Sequence, residues 1–174
     1  DELSALLKGI EIKKLRDLTE FLALSGLRFG EAAALELSDV DLKERIIHVN
    51  KTYDQAHDIV TSTKTQRSNR GVYMQDQLYK LCRRLKAERI GLNVITLSKV
   101  FFPGTRRNHI EFDSYAKYLR ETSQKVIGRR ITPHTLRHTH ASLLMEKGVD
   151  IDTISHRLGH ADSRITKEIY LHVT

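Results

Sequence analysis

Three short polar motifs stand at the joints of the chain rather than along exposed faces. They are Leu24-Ser-Gly-Leu-Arg-Phe-Gly-Glu31, Thr132-Pro-His-Thr-Leu-Arg-His138, and Leu158-Gly-His160 followed ten positions later by Tyr170. Their residue types suit chemistry on an oxyanion. Arginine is a planar, permanently charged fork that holds a phosphate or carboxylate through two parallel hydrogen bonds. Histidine titrates near neutrality and moves protons. A tyrosine phenolate is a nucleophile able to form a covalent intermediate. His134 and Arg137 are three residues apart, so one helix presents both on the same side.

These motifs need elements to hold them. Ile12, Leu15, Leu18 and Leu22 recur at helical spacing between Ile10 and Leu24, and Ser25-Gly26 interrupts them before a short helical run from Arg28 to Leu35. Three β-branched stretches follow, Arg45–Asn50, Asp58–Thr63 and Gly71–Met74, and predict a small three-stranded antiparallel sheet. Lys64-Thr-Gln-Arg-Ser-Asn-Arg70 reads as a polar, basic hairpin tip that projects and moves. Helical spacing returns over Asp76–Arg89 and Phe112–Ile127, with a turn at Phe101-Phe-Pro-Gly104 between them. Thr132 and Pro133 open a further helix as N-cap and first helical residue, and Gly148 closes it. Asp150 or Asp152 can cap Ile151–Leu158, Gly159 stops it, and Asp162 or Ser163 starts a last helix carrying Ile165, Ile169 and Tyr170. The expected class is α+β, mainly helical, and residues 1–174 read as one domain.

Composition narrows the partners. With 29 Lys+Arg against 22 Asp+Glu, a net charge of +7 and an isoelectric point near 9.6, nucleic acid leads. No apolar run approaches a membrane span, no leader is visible, and a lone cysteine, Cys82, on a helical apolar face excludes an internal disulfide. The expected location is therefore the cytoplasm, with no membrane contact. The chain begins at Asp1 without methionine, which suggests a piece of a longer protein.

With Lys64 added, the motifs match in order the Arg, Lys, His-x-x-Arg, His, Tyr set of the tyrosine recombinases, and the chain resembles their catalytic domain from about Ile10 to its end. Lys64-Thr65 with Ser68 and Arg70, and the Tyr170–Thr174 ending, extend the likeness toward integrases of phages and conjugative transposons. The resemblance implies the DNA breaking-rejoining fold and site-specific recombination without metal, cofactor or ATP. Tyr170 is then the nucleophile, giving a 3′-phosphotyrosine and a free 5′-hydroxyl strand. Arg28 and Arg137 stabilise charge on the non-bridging oxygens, and Lys64 protonates the leaving oxygen, with Lys51 across a neighbouring turn as its competitor. His134 takes or relays the tyrosine proton, and His160 hydrogen-bonds the phosphate. Glu31, three residues after Arg28, orients that guanidinium or caps the helix start.

Lys64, Arg67, Arg70, Arg106, Arg107, Lys117 and Arg120, with Arg129 and Arg130, are the candidate contacts to the phosphates of double-stranded DNA. The resemblance further implies an N-terminal core-binding domain that this chain lacks, and a tetramer on two duplexes for the full-length protein. The chain ends four residues after Tyr170, so by itself it is expected to be a monomer. Three other readings compete. A type IB topoisomerase uses a similar set, but His134 and Leu158-Gly-His160 favour the recombinase. A DNA-binding module without catalysis has no need of six intact positions. A zinc site on His134 and His138, with His140 near, lacks a cysteine cluster or His-Glu-x-x-His pattern, so these histidines are expected to pack or bond locally and no metal is expected.

Overall fold

The computed structural model describes residues 1–63, 65–96, 98–160 and 162–173, and leaves the side chains at 92–96, 170, 172 and 173 undescribed. The helices are α1 (Glu2–Gly9), α2 (Lys13–Ser25), α3 (Phe29–Ala34), α4 (Asp76–Thr96), α5 (Phe112–Ile127), α6 (Pro133–Glu146), α7 (Ile151–Leu158) and α8 (Arg164–Val173). Between α3 and α4 run β1 (Val40–Asp41), β2 (Ile46–Val49), β3 (Lys51–Asp54), β4 (Ile59–Ser62) and β5 (Arg70–Tyr73). The class is α+β and mainly helical, as the spacing predicts. No described helix is long and apolar enough to cross a membrane.

The sheet differs from expectation in membership. Its order is β1-β2-β5, all antiparallel, with Ile46 opposite Tyr73 and Val49 opposite Arg70. The stretch expected as the middle strand, Asp58–Thr63, supplies β4, which pairs instead with β3 in a separate two-stranded arm. All four residues of β4 are exposed, so its β-branched side chains reflect backbone preference and not a place in the core. Only Tyr53 of β3 is buried, stacked on His109 with ring centroids 4.4 Å apart. The predicted basic tip is also corrected. Gln66–Ser68 form a 3-10 turn in which the Thr65 side chain accepts from Ser68 N, and Ser68 and Arg70 are buried.

The main core gathers Leu18, Phe21 and Leu22 of α2, Ala32–Leu35, Ile47 and Val72 of the sheet, Leu78 and Cys82 of α4, Phe101 and Phe102, and Tyr115 and Leu119 of α5. Phe102 meets Phe21 and Phe101 edge-on at 5.0 and 4.9 Å. Cys82 is fully buried and its thiol pKa is pushed up to about 12 by desolvation, the environment of an inert thiol. A smaller cluster, Ala141, Ile154, Leu158 and Ile169, welds α6, α7 and α8 together.

Candidate active site

Three helix ends converge on one place because the local sequence stops each helix there. At α6 the Thr132 side chain accepts from Thr135 N and Pro133 occupies the first turn, where a missing N–H is harmless. At α7 Gly159 adopts φ 72°, Gly159 N donates to His156 O, and His160 N donates to Ser155 O, a paired turn that fixes the backbone of His160. At α3 the cap is Arg28 itself, and the Glu31 carboxylate accepts from Arg28 N at 2.9 Å. Gly26, with φ 71°, ends α2 against His140, so close that a Cβ would lie 2.4 Å from the ring.

Arg137 reaches from α6 to both other ends. Its side chain is buried, with 4% exposure, and donates from Nη1 to Gly26 O at 2.5 Å and from Nη2 to Leu158 O at 2.6 Å. Leu158 O belongs to the last turn of α7, whose carbonyls lack helical partners and welcome a cation. Burial, followed by the charges of Arg28 and Arg70, disfavours the protonated Arg137 guanidinium. Arg28 lies 42% exposed beside it, with Nη1 3.3 Å from Glu31 Oε2.

His160 is 5% exposed, and its Nδ1 lies 2.7 Å from Oγ1 of Thr166, a fully buried hydroxyl on α8. Desolvation, with Arg137, Arg28, Arg70 and His138, lowers its pKa to about 4, so the ring is neutral at pH 7. When Nδ1 accepts from Thr166, the ring proton sits on Nε2 and can be donated. His134 is exposed, and its Nε2 lies 3.1 Å from Nε2 of His138; one of the two nitrogens must be unprotonated there. Its pKa is lowered by burial, then by His138, Arg137 and Arg28. Arg28 and Arg137 thus act on both histidines, which places four of the six expected residues in one electrostatic neighbourhood.

Lys64 lies outside the described residues. Its chain neighbours Thr63 and Thr65 line a cavity of about 410 Å³ together with Arg28, Ser68, Gly159 and Ile165. The backbone of Tyr170 belongs to α8, one helical turn after Thr166, while its side chain lies outside the description. Glu31 both caps α3 and touches the Arg28 guanidinium, as expected.

Arg70 is a correction. Expected as a phosphate contact, its side chain has 0% exposure and donates from Nη1 and Nη2 to Glu31 at 2.8 and 3.1 Å. A buried guanidinium needs acceptors, and this one has used its fork on a carboxylate. Arg67, Arg106, Lys117, Arg120 and Arg130 are exposed. Arg107 is exposed but donates to Gln55 O at 3.1 Å, tying its loop to the β3–β4 turn, and Arg129 holds Glu2 through two bonds.

Thr166 escaped the sequence reading, although a threonine set among the apolar positions of an amphipathic helix is a recognisable signal. His140 packs locally as expected: Nδ1 lies 3.0 Å from Ala23 O, and Nε2 accepts from Arg157 Nε at 3.0 Å. Among the described residues no three His, Cys, Asp or Glu side chains come together as a metal site.

Two buried histidines give a pH prediction. Burial, then Arg157, lowers His140 to about 3, and His160 stands at about 4, against 6.5 for an unhindered ring. Below pH 6.5 the unfolded chain takes up protons that the folded chain refuses, so stability declines as pH falls from 6.5 toward 4. Urea unfolding at pH 5 is expected to give on the order of 3 kcal/mol less stability than at pH 7. A flat profile over that interval contradicts the two environments. Carboxylates held below their usual range, such as Glu31, act only at lower pH.

The family model described as the phage integrase family matches residues 1–174. The chain is 32% identical over 165 residues to the integrase of Staphylococcus phage L54a, covering 89% of this chain and 47% of that protein. It is 30% identical over 164 residues to tyrosine recombinase XerC of Thermodesulfovibrio yellowstonii, covering 93% and 51%. The crystal structure of XerA recombinase superposes with a TM-score of 0.78 at 30% identity, over 100% of this chain and 57% of that one. The chain spans about half the length of the curated relatives it matches. With every position from Asp1 to Thr174 inside the matched model, the chain belongs to the phage integrase family, the kinship its Arg28, His134, Arg137, His160 and Tyr170 pattern resembles.

Proposed function

We infer that this chain is the catalytic domain of a cytoplasmic site-specific recombinase that cleaves and rejoins double-stranded DNA through a 3′-phosphotyrosine, without metal or ATP. One observation carries the reading. Arg28, His134, Arg137 and His160, drawn from three distant segments, share one cationic, partly buried site at converging helix ends. Such fixed donors suit charge that develops on phosphate oxygens in the transition state. Arg28 and Arg137 hold the non-bridging oxygens, His160 donates from Nε2, and His134 receives the phenolic proton of Tyr170. The phenolate oxygen attacks phosphorus, and the bond to the 5′ oxygen breaks. That oxygen leaves as a hydroxyl with a proton from Lys64. Reversal restores the strand, because the phosphotyrosine retains the energy of the broken linkage.

Arg67, Arg106, Lys117 and Arg120 contact the backbone in this reading, and synapsis of two duplexes takes four full-length copies. The direct test incubates the chain with a nicked duplex in the presence of a chelator and looks for a denaturant-resistant protein–DNA band. Its absence with bound DNA contradicts the function, and a requirement for metal contradicts the mechanism.

The crowding of Arg137 by Arg28 and Arg70 predicts anion binding in the absence of DNA. Sulfate at 100 mM is expected to raise Tm by about 3 °C over chloride at equal ionic strength, roughly 1 kcal/mol for a domain of this size. Arg28→Gln should remove that difference. An equal gain in the variant places the anion elsewhere.

A further inference from the structure

We propose that Arg70 is a positioning residue for DNA cleavage: it occupies the Glu31 carboxylate so that the Arg28 guanidinium stays available to the scissile phosphate, and it braces the turn that presents His160. The proposal rests on the recombinase reading of this site and assigns work to a residue that does not itself touch DNA.

Among the described residues Glu31 is the carboxylate that stands among the three arginines of the site, and it is buried. Its sequence neighbour Arg28 is not its principal partner. Arg28 reaches it through one long side-chain contact of 3.3 Å, whereas Arg70, 39 residues away, meets both oxygens with the two arms of its fork at 2.8 and 3.1 Å. A bidentate, buried pairing outweighs a single long contact at a half-exposed side chain. Arg28, Arg70 and Arg137 against Glu31 leave two net positive charges at the site. Without Arg70 the carboxylate has Arg28 as its remaining partner among these. Arg28 then turns inward to cover a buried charge, and one net positive charge is left for a phosphate.

The rest of the Arg70 guanidinium is spent on the neighbouring catalytic segments. Nε donates to Arg157 O at 2.7 Å and Nη1 to Ser68 O at 2.8 Å. The plane of the fork lies against Gly159, where a Cβ would stand 2.6 Å from Nη1. Gly159 therefore lacks a side chain for two reasons, its φ of 72° and this approach. Ser68 N in turn donates to the Thr65 side chain, and Ser68 Oγ donates to Gly159 O at 3.5 Å, so the segment that follows Lys64 is tied to the turn before His160. One side chain thereby links the strand after Lys64, the helix end of Arg28 and the turn of His160.

The test measures single-turnover formation of the covalent adduct on nicked DNA. Arg70→Gln is expected to slow it about 30-fold or more, the scale of a displaced transition-state donor. Adding Glu31→Gln to that variant removes the stranded carboxylate, and the double variant should cleave at least about fivefold faster than Arg70→Gln alone. Urea unfolding of each variant runs beside the rates, because a purely structural pair regains stability without regaining rate, and a double variant no faster than the single overturns the inference. If Arg70→Gln fails to fold, Arg70→Lys decides: it keeps one cation near Glu31 but loses the fork and the Nε bond to Arg157 O, so the folded variant should cleave about tenfold slower than the wild type. A folded Lys variant as fast as the wild type overturns the proposal. Failure of the wild type to form any adduct contradicts the reading of the site, whereas a wild-type adduct formed equally fast by folded Arg70→Gln contradicts only the role of Arg70.

Discussion

Tyr170→Phe is expected to eliminate the protein–DNA adduct while leaving DNA affinity within about twofold. Phenylalanine keeps the ring and removes the one oxygen that can attack phosphorus, and loss of a sole nucleophile drops turnover by roughly 10⁴-fold or more. The position of Tyr170 supports this. It lies one turn after Thr166, whose hydroxyl meets His160, so the helix bearing Tyr170 is pinned to a residue of the candidate site. Tyr115, by contrast, is buried in the main core with its hydroxyl 2.7 Å from Thr19 Oγ1, and burial raises its pKa. It has no path to a phosphate. Gel shift and adduct assays on the same variant separate binding from chemistry. A surviving adduct would reassign the nucleophile.

Arg137→Gln is expected to fail twice, in cleavage and in stability. The chemical loss should be on the order of 10³-fold, the scale for removing a fixed transition-state donor. The structural loss follows from where its hydrogen bonds go. Gly26 O and Leu158 O would both lose a charged donor in a buried setting, which lowers stability by about 2–4 kcal/mol. That is a large part of the roughly 5–15 kcal/mol of a typical domain, so cleavage must be assayed well below the variant's Tm. Arg137→Lys should share both defects, since one ammonium on a flexible stem does not span two carbonyls in a fixed fork. Urea unfolding unchanged in either variant would mean that the two carbonyl contacts contribute nothing.

Much of the frame is legible in the sequence because helix punctuation is local. α5 and α7 begin and end where spacing and glycine place them, and Thr132-Pro133 marks the start of α6 to the residue. What escapes depends on partners distant in the chain. β3 is not marked in the sequence because Lys51 and Asp54 flank only two strand-favouring residues, Thr52 and Tyr53, and the segment becomes a strand through pairing with β4. α1 is not marked in the sequence because its N-cap, Asp1, is the first residue given, and no turn residue sets its start apart. Arg70 read as a surface cation because it ends a basic stretch, while its partner Glu31 stands in another motif. The proposed set could be picked out by order and spacing, and the structure brings Arg28, His134, Arg137 and His160 of it together. Its electrostatic state, with His160 neutral, required the buried surroundings that tertiary structure supplies.

Tyr170 is expected to bond covalently to a DNA 3′-phosphate. The most direct measurement digests the adduct formed on a nicked duplex with trypsin and nuclease and locates the nucleotide by mass spectrometry. The expected product is a phosphonucleotide on the peptide from Glu168 to Thr174, at Tyr170, with a free 5′-hydroxyl on the released strand. Attachment at Tyr53, Tyr73, Tyr79, Tyr115 or Tyr118, or through a 5′-phosphate, would contradict it.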